Sequence, residues 1–276
     1  RRMTKRSESI ENKLESLRKS VAHREKNAVV QLPLWPEPKR GAPNSFIRSA
    51  LFAAIQSKDR QFLKEAVLAS QDGITIKYTG EQLNQSDLDV WETIVHLARD
   101  QPLGTIASFT AHGLLKALGL PTGNSQHKQL HSTLLRLTAC AVEVEHDGKT
   151  YFGPLIKSGA KDDVTRHYGI ELNKGIIKLF GDAQWTALDW NQRQELRGQP
   201  LAQALHAFYS SHRAPFSVKL ATLQAYTGSR NKQAASFKRQ VLAALEQLVN
   251  VGFLVSYEIK DGLVSVVRSH MPIAAR

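Results

Sequence analysis

One order of elements occurs twice along the chain, and it limits the possible folds more than any other feature of the sequence. In each copy a short strand leads into a helix that ends at a glycine, a second helix follows, and two alternating strands close the pattern. The glycines are Gly119 and Gly228. Where two short helices meet at a sharp angle, glycine adopts the left-handed conformation without strain. The order of helix, turn, helix and β-hairpin predicts a winged helix in each copy.

An Asp-Gly turn marks the hairpin of each copy. Asp147-Gly148 follows an alternating apolar stretch in the first copy, and Asp261-Gly262 lies between strands predicted at 253–259 and 263–268 in the second. Asp-Gly between alternating apolar residues is a strong signal for a two-residue hairpin turn. We therefore expect the wing tips at these two turns.

The predicted fold class is α+β and helix-rich, with two tandem winged-helix domains behind a flexible basic tail. The tail is residues 1–30, where apolar residues at helical spacing allow a short helix. Residues 31–45 contain four prolines, which predicts an extended linker. We assign the first winged-helix domain to residues 46–182 and the second to residues 183–276.

The charge of the chain indicates a polyanionic partner. Lys and Arg number 37 against 25 Asp and Glu, a formal net charge of +12. No carboxylate occurs between Asp100 and Glu143 or between Glu195 and Glu246, and both windows contain several basic residues. A surface that approaches phosphates excludes carboxylates because they repel the backbone. An ordinary solvated face is the alternative explanation.

The helical wheel places small and basic side chains opposite the apolar stripe of the second helix in each copy. Such a face suits the major groove, since small residues allow close approach and Arg or Asn reaches base edges. With the wing tips and the neighbouring basic residues included, the predicted DNA contacts are Ser125, Lys128, Ser132, Arg136 and Lys149 in the first copy and Arg213, Lys219, Arg230, Asn231, Lys232, Ser236, Lys238, Arg239 and Lys260 in the second.

Two blocks of the sequence resemble the TrfA-type initiators of plasmid replication. The first is Ile76-Lys-Tyr-Thr-Gly80, followed by Leu83 and Val90-Trp91. The second is Phe208-Tyr-Ser-Ser-His-Arg213 with Pro215 and Lys219-Leu220. The resemblance covers about residues 31–268. It implies a tandem winged-helix initiator that binds repeated duplex sites, called iterons, and promotes melting of an adjacent AT-rich stretch.

The resemblance also implies partners. These are the host helicase and initiator, single-stranded DNA of the melted region, and a second copy of the chain in a monomer–dimer equilibrium. The peptide Gln31-Leu-Pro-Leu-Trp35 is similar to the peptide by which the family docks on the bacterial sliding clamp. Gln31, Leu32, Leu34 and Trp35 are then the clamp-binding residues. The alternative is that the apolar residues of this peptide pack back on the first domain.

No enzyme motif is complete in the sequence. Gly148-Lys-Thr150 ends like a phosphate-binding loop, but Glu143 stands where the first glycine of that loop is required. His127 and His131 have no third ligand, and no His-x-His cluster is present to activate a tyrosine nucleophile. We expect no catalytic residue, metal or cofactor. A winged-helix repressor of a plasmid promoter is the alternative function, and a strand-nicking initiator is the third.

A cytoplasmic location is expected. Cys140 is the single cysteine, which excludes a disulfide framework, and no apolar run approaches the length of a membrane span.

Overall fold

The structure is a computed structural model that describes residues 31–100, 102, 106–181 and 183–269. The predicted tail, residues 1–30, lies outside the described residues. The fold is mixed α+β and has two hydrophobic cores. The larger core draws its side chains mainly from residues 32–190, and the smaller one from residues 196–266. Within the described part of the chain, no helix has the length and apolar character needed to cross a membrane.

Short helices and strands alternate along the chain. The helices are α1 (Asn44–Ile47), α2 (Gln85–Ala98), α3 (Ala111–Ala117), α4 (Asn124–Ala139), α5 (Trp190–Glu195), α6 (Pro200–Ser210), α7 (Leu220–Tyr226) and α8 (Ala234–Asn250), with 3₁₀ turns at Ser57–Asp59 and Lys174–Phe180. The strands are β1 (Lys39–Pro43), β2 (Phe52–Ala53), β3 (Phe62–Leu68), β4 (Ile74–Glu81), β5 (Leu83–Asn84), β6 (Ile106–Thr110), β7 (Ala141–His146), β8 (Lys149–Gly153), β9 (Ser158–Lys161), β10 (His167–Glu171), β11 (Trp185–Asp189), β12 (Val218–Lys219), β13 (Leu254–Lys260) and β14 (Leu263–Arg268).

Helix α2 runs through the larger core and is buried on most of its faces. It begins with a capping box: the Asn84 side chain accepts from the backbone N–H of Asp87, and the Asp87 carboxylate accepts from the Asn84 N–H at 2.9 Å. This reciprocal pair satisfies backbone donors that a helix start leaves free. Trp91 and Ile94 follow on α2 with no exposed surface. The helix thereby anchors the sheets that surround it.

The first copy of the repeated pattern folds differently from the prediction. Strands β3, β4, β7 and β8 form one antiparallel sheet, with Ile76 opposite Val144. The hairpin at Asp147-Gly148 therefore extends this sheet. The strand before α3, which is β6, pairs instead with β10, and β9 completes that three-stranded sheet. The prediction of a wing at 147–148 is wrong: the hairpin that accompanies α3 and α4 is β9–β10.

The second copy follows the predicted order. Helix α6 is followed by β12, α7, α8 and the hairpin β13–β14, and β12 pairs with β14 in a three-stranded sheet. Gly228 has a φ of +61° just after α7, so a left-handed residue does stand between the two helices. The hairpin turn lies at Asp261-Gly262, as the sequence predicted.

Residues 31–45 are not a free linker. Strand β1 pairs with β11 along its whole length, from Lys39 opposite Asp189 to Pro43 opposite Trp185. Before it, Leu32 and Trp35 are buried in the larger core. Because β11 and Trp190 also belong to this core, the predicted domain boundary after residue 182 is too early by about a dozen residues. The prolines do keep the segment extended, but it is extended as an edge strand.

The two cores meet at Arg193, a residue of α5 with no exposed surface. Its Nε donates to the Asp89 carboxylate at 2.5 Å, and a carboxylate oxygen of Glu92 lies 3.5 Å from the same nitrogen. A second donor, Nη1, reaches the backbone carbonyl of Gln203 in α6 at 3.2 Å. One guanidinium cannot neutralise two buried carboxylates, so one of them is favoured in its protonated form. Burial, the larger effect, raises the pKa of Glu92 to about 8.

The peptide Gln31–Trp35 gives a first prediction, which concerns the stability of the fold. Trp35→Ala should lower the free energy of unfolding by about 3–5 kcal/mol, because it removes a buried indole and leaves a cavity. Leu34→Ala, one residue earlier, should change it by no more than about 0.5 kcal/mol, because the Leu34 side chain is 67% exposed. Denaturant unfolding of the two variants measures both. Equal losses would contradict the packing of Trp35.

Glu92 gives a second prediction, about pH. Its pKa is higher in the folded state, so the folded protein keeps a proton that the unfolded chain loses above about 4.5. The contribution of Glu92 to the free energy of unfolding should therefore fall as pH rises from 5 to 8, by at most about 1.4 kcal/mol per pH unit. The free energy of unfolding of Glu92→Gln should accordingly rise relative to that of wild type over the same range. Unfolding at several pH values tests this, with the exposed Glu195→Gln as control; parallel curves for wild type and Glu92→Gln would refute it.

Candidate nucleic-acid interface

Helix α8 separates an apolar face from a basic one. The predicted inward stripe is confirmed, since Phe237, Val241, Leu245 and Leu248 are all buried in the smaller core. On the outward side, Lys238 and Arg239 are exposed beside the small residues Ala235 and Ala243. A helix with small and basic outward residues can approach a charged backbone closely and still extend long donors beyond it.

Six basic side chains of the second copy are free to bind an external anion. They share two properties: each is exposed, and none has an ion-pair or hydrogen-bond partner among the residues that the structure describes. They are Arg213, Lys219, Lys232, Lys238, Arg239 and Lys260. We call this group the α8 basic surface. The sequence predicted all six as DNA contacts.

Sheet register brings two of these lysines together. Lys219 of β12 lies opposite Leu263 of β14, and Leu263 lies opposite Lys260 of β13. Residues paired directly across antiparallel strands project from the same face of the sheet. Lys219 and Lys260 therefore flank the exposed Leu263 in one row beside the hairpin turn.

Asn231 and Ser236 shape the turn before α8. The Asn231 amide donates to the Ser236 hydroxyl at 2.9 Å, and its carbonyl oxygen accepts from the backbone N–H of Gln233 at 3.1 Å. Its own backbone carbonyl accepts from Gln224 of α7. Because Asn231 uses both ends of its amide inside the turn, the structure gives it a local role where the sequence suggested base contacts.

Arg230 is also used inside the protein. Its guanidinium donates to the backbone carbonyl of Asp59 and to the side chain of Gln82, both in the part of the chain that builds the larger core. In this structure, Arg230 therefore holds the α7–α8 turn against the larger core. The sequence gave no sign of this because the partners lie far away along the chain.

Helix α4 presents a smaller exposed set. Ser125, Lys128 and Ser132 are exposed on one face, as predicted. Arg136 is not: it donates to the buried Asp87 carboxylate at 2.8 Å and to Glu81 at 3.1 Å. Arg136 is thus a structural partner of the α2 capping box, although the sequence predicted it as a DNA contact. The reason is that the N-terminus of α2, with its charged cap, lies beside the end of α4.

A recess between α4 and the β9–β10 hairpin contains basic residues that the sequence analysis missed. Its volume is about 390 Å³, and Lys128 and His127 line one side while Lys161 and Arg166 line the other. The Tyr168 hydroxyl and His131 Nδ1, 3.1 Å apart, lie at its base. Lys161 is paired with Asp163 at 2.6 Å. Lys161 and Arg166 were missed because the wing was predicted at the wrong hairpin.

Lys149 is not part of this recess. It stands in β8 opposite His146, in the four-stranded sheet, and its ammonium lies beside Gly181. The three-stranded sheet that carries β9–β10 is separate. Lys149 was predicted as a wing-tip contact, but the strand pairing places it in the four-stranded sheet, away from the β9–β10 hairpin.

The peptide Gln31–Trp35 has its anchor inside the protein. The Trp35 indole N–H donates to His96 Nδ1 at 2.9 Å, and the ring stacks on Phe180 with centroids 6.0 Å apart. Since an indole N–H can only donate, His96 Nδ1 accepts, and its Nε2–H donates to Glu37 at 2.9 Å. Hydrogen bonds from His96 and then from Arg99 lower the pKa of Glu37 to about 2. Gln31 donates weakly to the Arg99 carbonyl at 3.4 Å, and Leu34 remains exposed.

The described residues hold no group of three or more His, Cys, Asp or Glu side chains placed to bind a metal. His127 and His131 both line the recess, and His131 is engaged with Tyr168. The site therefore offers positively charged side chains on two surfaces. One is formed by α8 and the β13–β14 hairpin, and the other by α4 and the β9–β10 hairpin.

The fold and these surfaces define a class of protein. The structure is similar to that of the Pi initiator protein in complex with iteron DNA, with a TM-score of 0.56 and 12% identity over 86% of this chain and all of that one. It is also similar to domains 2 and 3 of RctB, with a TM-score of 0.58 and 12% identity over 82% of this chain and 98% of that one. At this identity the likeness concerns the fold, which is the mixed α+β fold of these proteins.

The sequence gives the particular family. The family described as TrfA protein matches residues 4–268, so the chain belongs to the TrfA family. This confirms the resemblance found in the sequence. The plasmid replication initiator protein TrfA from Escherichia coli is 28% identical over 242 residues, which cover 83% of this chain. The chain spans 62% of the length of that relative.

The contrast between Arg136 and Lys128 gives a third prediction. Arg136→Ala should lower the free energy of unfolding by about 1.5–3 kcal/mol, because the buried Asp87 carboxylate loses a charged hydrogen bond. Lys128→Ala, on the same helix but exposed, should change it by no more than about 0.5 kcal/mol. Thermal or denaturant unfolding measures both. If Arg136→Ala folds as stably as Lys128→Ala, the structural role of Arg136 is wrong.

Proposed function

We propose that this protein initiates plasmid replication by binding iterons at the origin through two winged-helix modules. The first and second modules are the first and second copies of the repeated pattern. The observation that carries the proposal is the α8 basic surface, six unpaired cations on α8, on the turn before it and on the flanking strands and loop, in a member of the TrfA family. Unpaired cations supply the part of duplex affinity that comes from counterion release. The likeness to the Pi initiator, whose structure contains iteron DNA, supports the same partner.

In the second module, α8 enters the major groove of the duplex. Arg239 is the candidate for base contacts, because a guanidinium can pair with both acceptors of a guanine edge. Lys232 and Lys238 meet phosphates. The row formed by Lys219 and Lys260 follows the backbone beside the hairpin turn, where a wing touches the duplex in this class of fold.

The first module binds through α4 and the β9–β10 hairpin. Lys128 and Arg166 face the same recess, so a phosphate there meets positive charge from both elements, while the charge of Lys161 is paired with Asp163, which also lines the recess. Arg136 and Lys149 take no part. The recess therefore has fewer unpaired cations than the α8 basic surface, and we assign the first module mainly backbone contacts.

Further partners are proposed on family membership. They are the host helicase and initiator, single-stranded DNA of the melted region, a second copy of the chain, and the sliding clamp. Clamp docking through Gln31–Trp35 requires Leu32 and Trp35 to leave the larger core, since Leu34 is the exposed apolar side chain of this peptide. That requirement adds an unfolding cost to the binding free energy.

The fourth prediction tests duplex binding. Lys232→Ala with Arg239→Ala should reduce affinity for the iteron by more than about tenfold, since one bidentate Arg–guanine pair alone is worth about 1–3 kcal/mol. The slope of log affinity against log salt should become shallower by about 0.9 for each phosphate that the variant no longer binds. Footprinting on the parent plasmid identifies the iteron, and titration at several salt concentrations gives affinity and slope.

The control removes equal charge elsewhere. Lys174→Ala with Lys178→Ala changes two exposed lysines of the 3₁₀ turn after β10. It should leave iteron affinity within about twofold of wild type. If both double variants lose affinity equally, binding depends on net charge and α8 is not the reading helix. A replication assay with the origin plasmid separates an initiator from a repressor, which would bind the site and not support replication.

A further inference from the structure

The helix pair of the second module is packed directly on the part of the chain that builds the larger core. The backbone N–H of Ala54 donates to the carbonyl of Thr227 at 2.6 Å. Next to it, Gly228 leaves no room for a side chain: a Cβ at this position would lie 2.9 Å from the Cβ of Ala53 and 3.3 Å from that of Ala50. The glycine is therefore required both by its positive φ and by this close approach.

We call this contact between the second module and the larger core the junction. Side chains form hydrogen bonds across it at two further points. Arg230, just beyond Gly228, donates to Asp59 and Gln82, as described above. At the other end of the junction, Arg48 donates from Nε to the Ser211 hydroxyl at 2.9 Å and from its terminal nitrogen to the Ser211 carbonyl. Ser211 is the C-terminal cap of α6, so both the end of α6 and the α7–α8 turn are bonded to the part of the chain that builds the larger core.

The connection between the modules is also short. Four residues, 196–199, separate α5 from α6. Arg193 on one side bonds Gln203 on the other with no exposure to solvent, and Ala207 of α6 packs into the larger core. Flexible linkers between independent domains are exposed and cross few contacts. Gly198 in this connection is exposed, but contacts between the modules are formed on both sides of it, at Arg193 and at Ala207.

We infer that this junction holds the two DNA-reading surfaces at one separation and rotation, so that the protein measures the distance between the two segments of its site. The inference rests on the proposed function. Arg48 and Gly228 are positioning residues: they lie in the junction and act on DNA only through the placement of α8. Spacing becomes part of the recognition, alongside the bases that each module contacts.

Duplex geometry makes the consequence measurable. A duplex turns once in about 10–10.5 base pairs, so about five extra base pairs between the two segments place the second groove on the opposite face. A rigid protein can then engage the duplex through one module only. A protein with a loose junction keeps both modules engaged by reorienting one of them.

The experiment compares two duplexes, the iteron found by footprinting and the same iteron with five base pairs inserted between the segments that the modules protect. Wild type should bind the native duplex more than about tenfold more tightly than the expanded one, as expected when one module no longer reaches its phosphates. Arg48→Ala should bring this ratio to within about threefold while binding the native duplex more weakly. Gly228→Ala should do the same, because the new methyl group separates the packed surfaces.

Gly252→Ala is the matched control. Gly252 also lies in the second module and has a φ of +72°, but nothing is within 4 Å of the position that its Cβ would occupy. It therefore reproduces the backbone strain without disturbing the junction and should keep the wild-type ratio. If Gly228→Ala and Arg48→Ala also keep that ratio, or if wild type tolerates the insertion, the inference is wrong.

A measurement without DNA separates this inference from the proposed function. Spin labels on Lys178→Cys and Glu258→Cys, exposed positions in different modules, report the distance between them. Wild type and Gly252→Ala should give one narrow distribution, and Gly228→Ala and Arg48→Ala a broadened or shifted one. A broad distribution in wild type overturns the rigid junction whether or not the protein binds iterons. A narrow one with no duplex binding overturns only the proposed function.

Discussion

The arrangement of the whole molecule depends on one buried guanidinium. Arg193 has no exposed surface, and its donors reach Asp89 of α2 on one side and the backbone of α6 on the other. A buried charge is costly unless its hydrogen bonds are satisfied, and the donors of Arg193 find their acceptors on elements of both cores. Separating the two cores would leave these buried donors without partners. Around Arg193, Ala207 of α6 also packs against apolar residues of the larger core.

Several arginines of this protein have their donors occupied within the fold. Arg48, Arg60, Arg136, Arg193, Arg197 and Arg230 all donate to carbonyls or carboxylates within the chain. The lysines of the α8 basic surface have no such partners among the described residues. A guanidinium offers several donors in a fixed plane and can satisfy two acceptors at once, whereas an ammonium is a mobile point charge. Net charge alone therefore overstates the positive charge that is available to a polyanion, and the unpaired cations of the α8 basic surface are the better measure.

Local signals in the sequence predicted the second module well. The apolar stripe of α8, the left-handed Gly228 and the hairpin at Asp261-Gly262 depend on neighbours within a few residues, and all three are confirmed. The helical wheel also identified the exposed face of α8. It could not reveal which outward residues meet another part of the protein, because the partners of Arg230 are about 150–170 positions away.

The first module shows where such reasoning ends. A hairpin signal at Asp147-Gly148 is correct as a turn, but strand pairing is non-local, and nothing near the turn indicates that β7 adds to β4 while β6 pairs with β10. The same limit hid the position of Trp35, whose partners are His96 and Phe180. Prolines around it favour an extended chain, and an extended chain can be a linker or an edge strand.

The pairing of β1 with β11 has a consequence for biosynthesis. Residues 39–43 leave the ribosome long before residues 185–189, and the larger core cannot close until both are present. At about 5–20 residues per second, that interval lasts many seconds, during which Trp35 and the apolar residues that later surround it are unburied. The nascent chain thus passes most of its synthesis with an incomplete core, and the second module begins to emerge just as the first becomes able to fold. While β1 waits for β11, its unpaired backbone and the exposed apolar side chains can associate with other chains. This fold therefore requires the nascent chain to avoid aggregation until residues 185–189 have been synthesised.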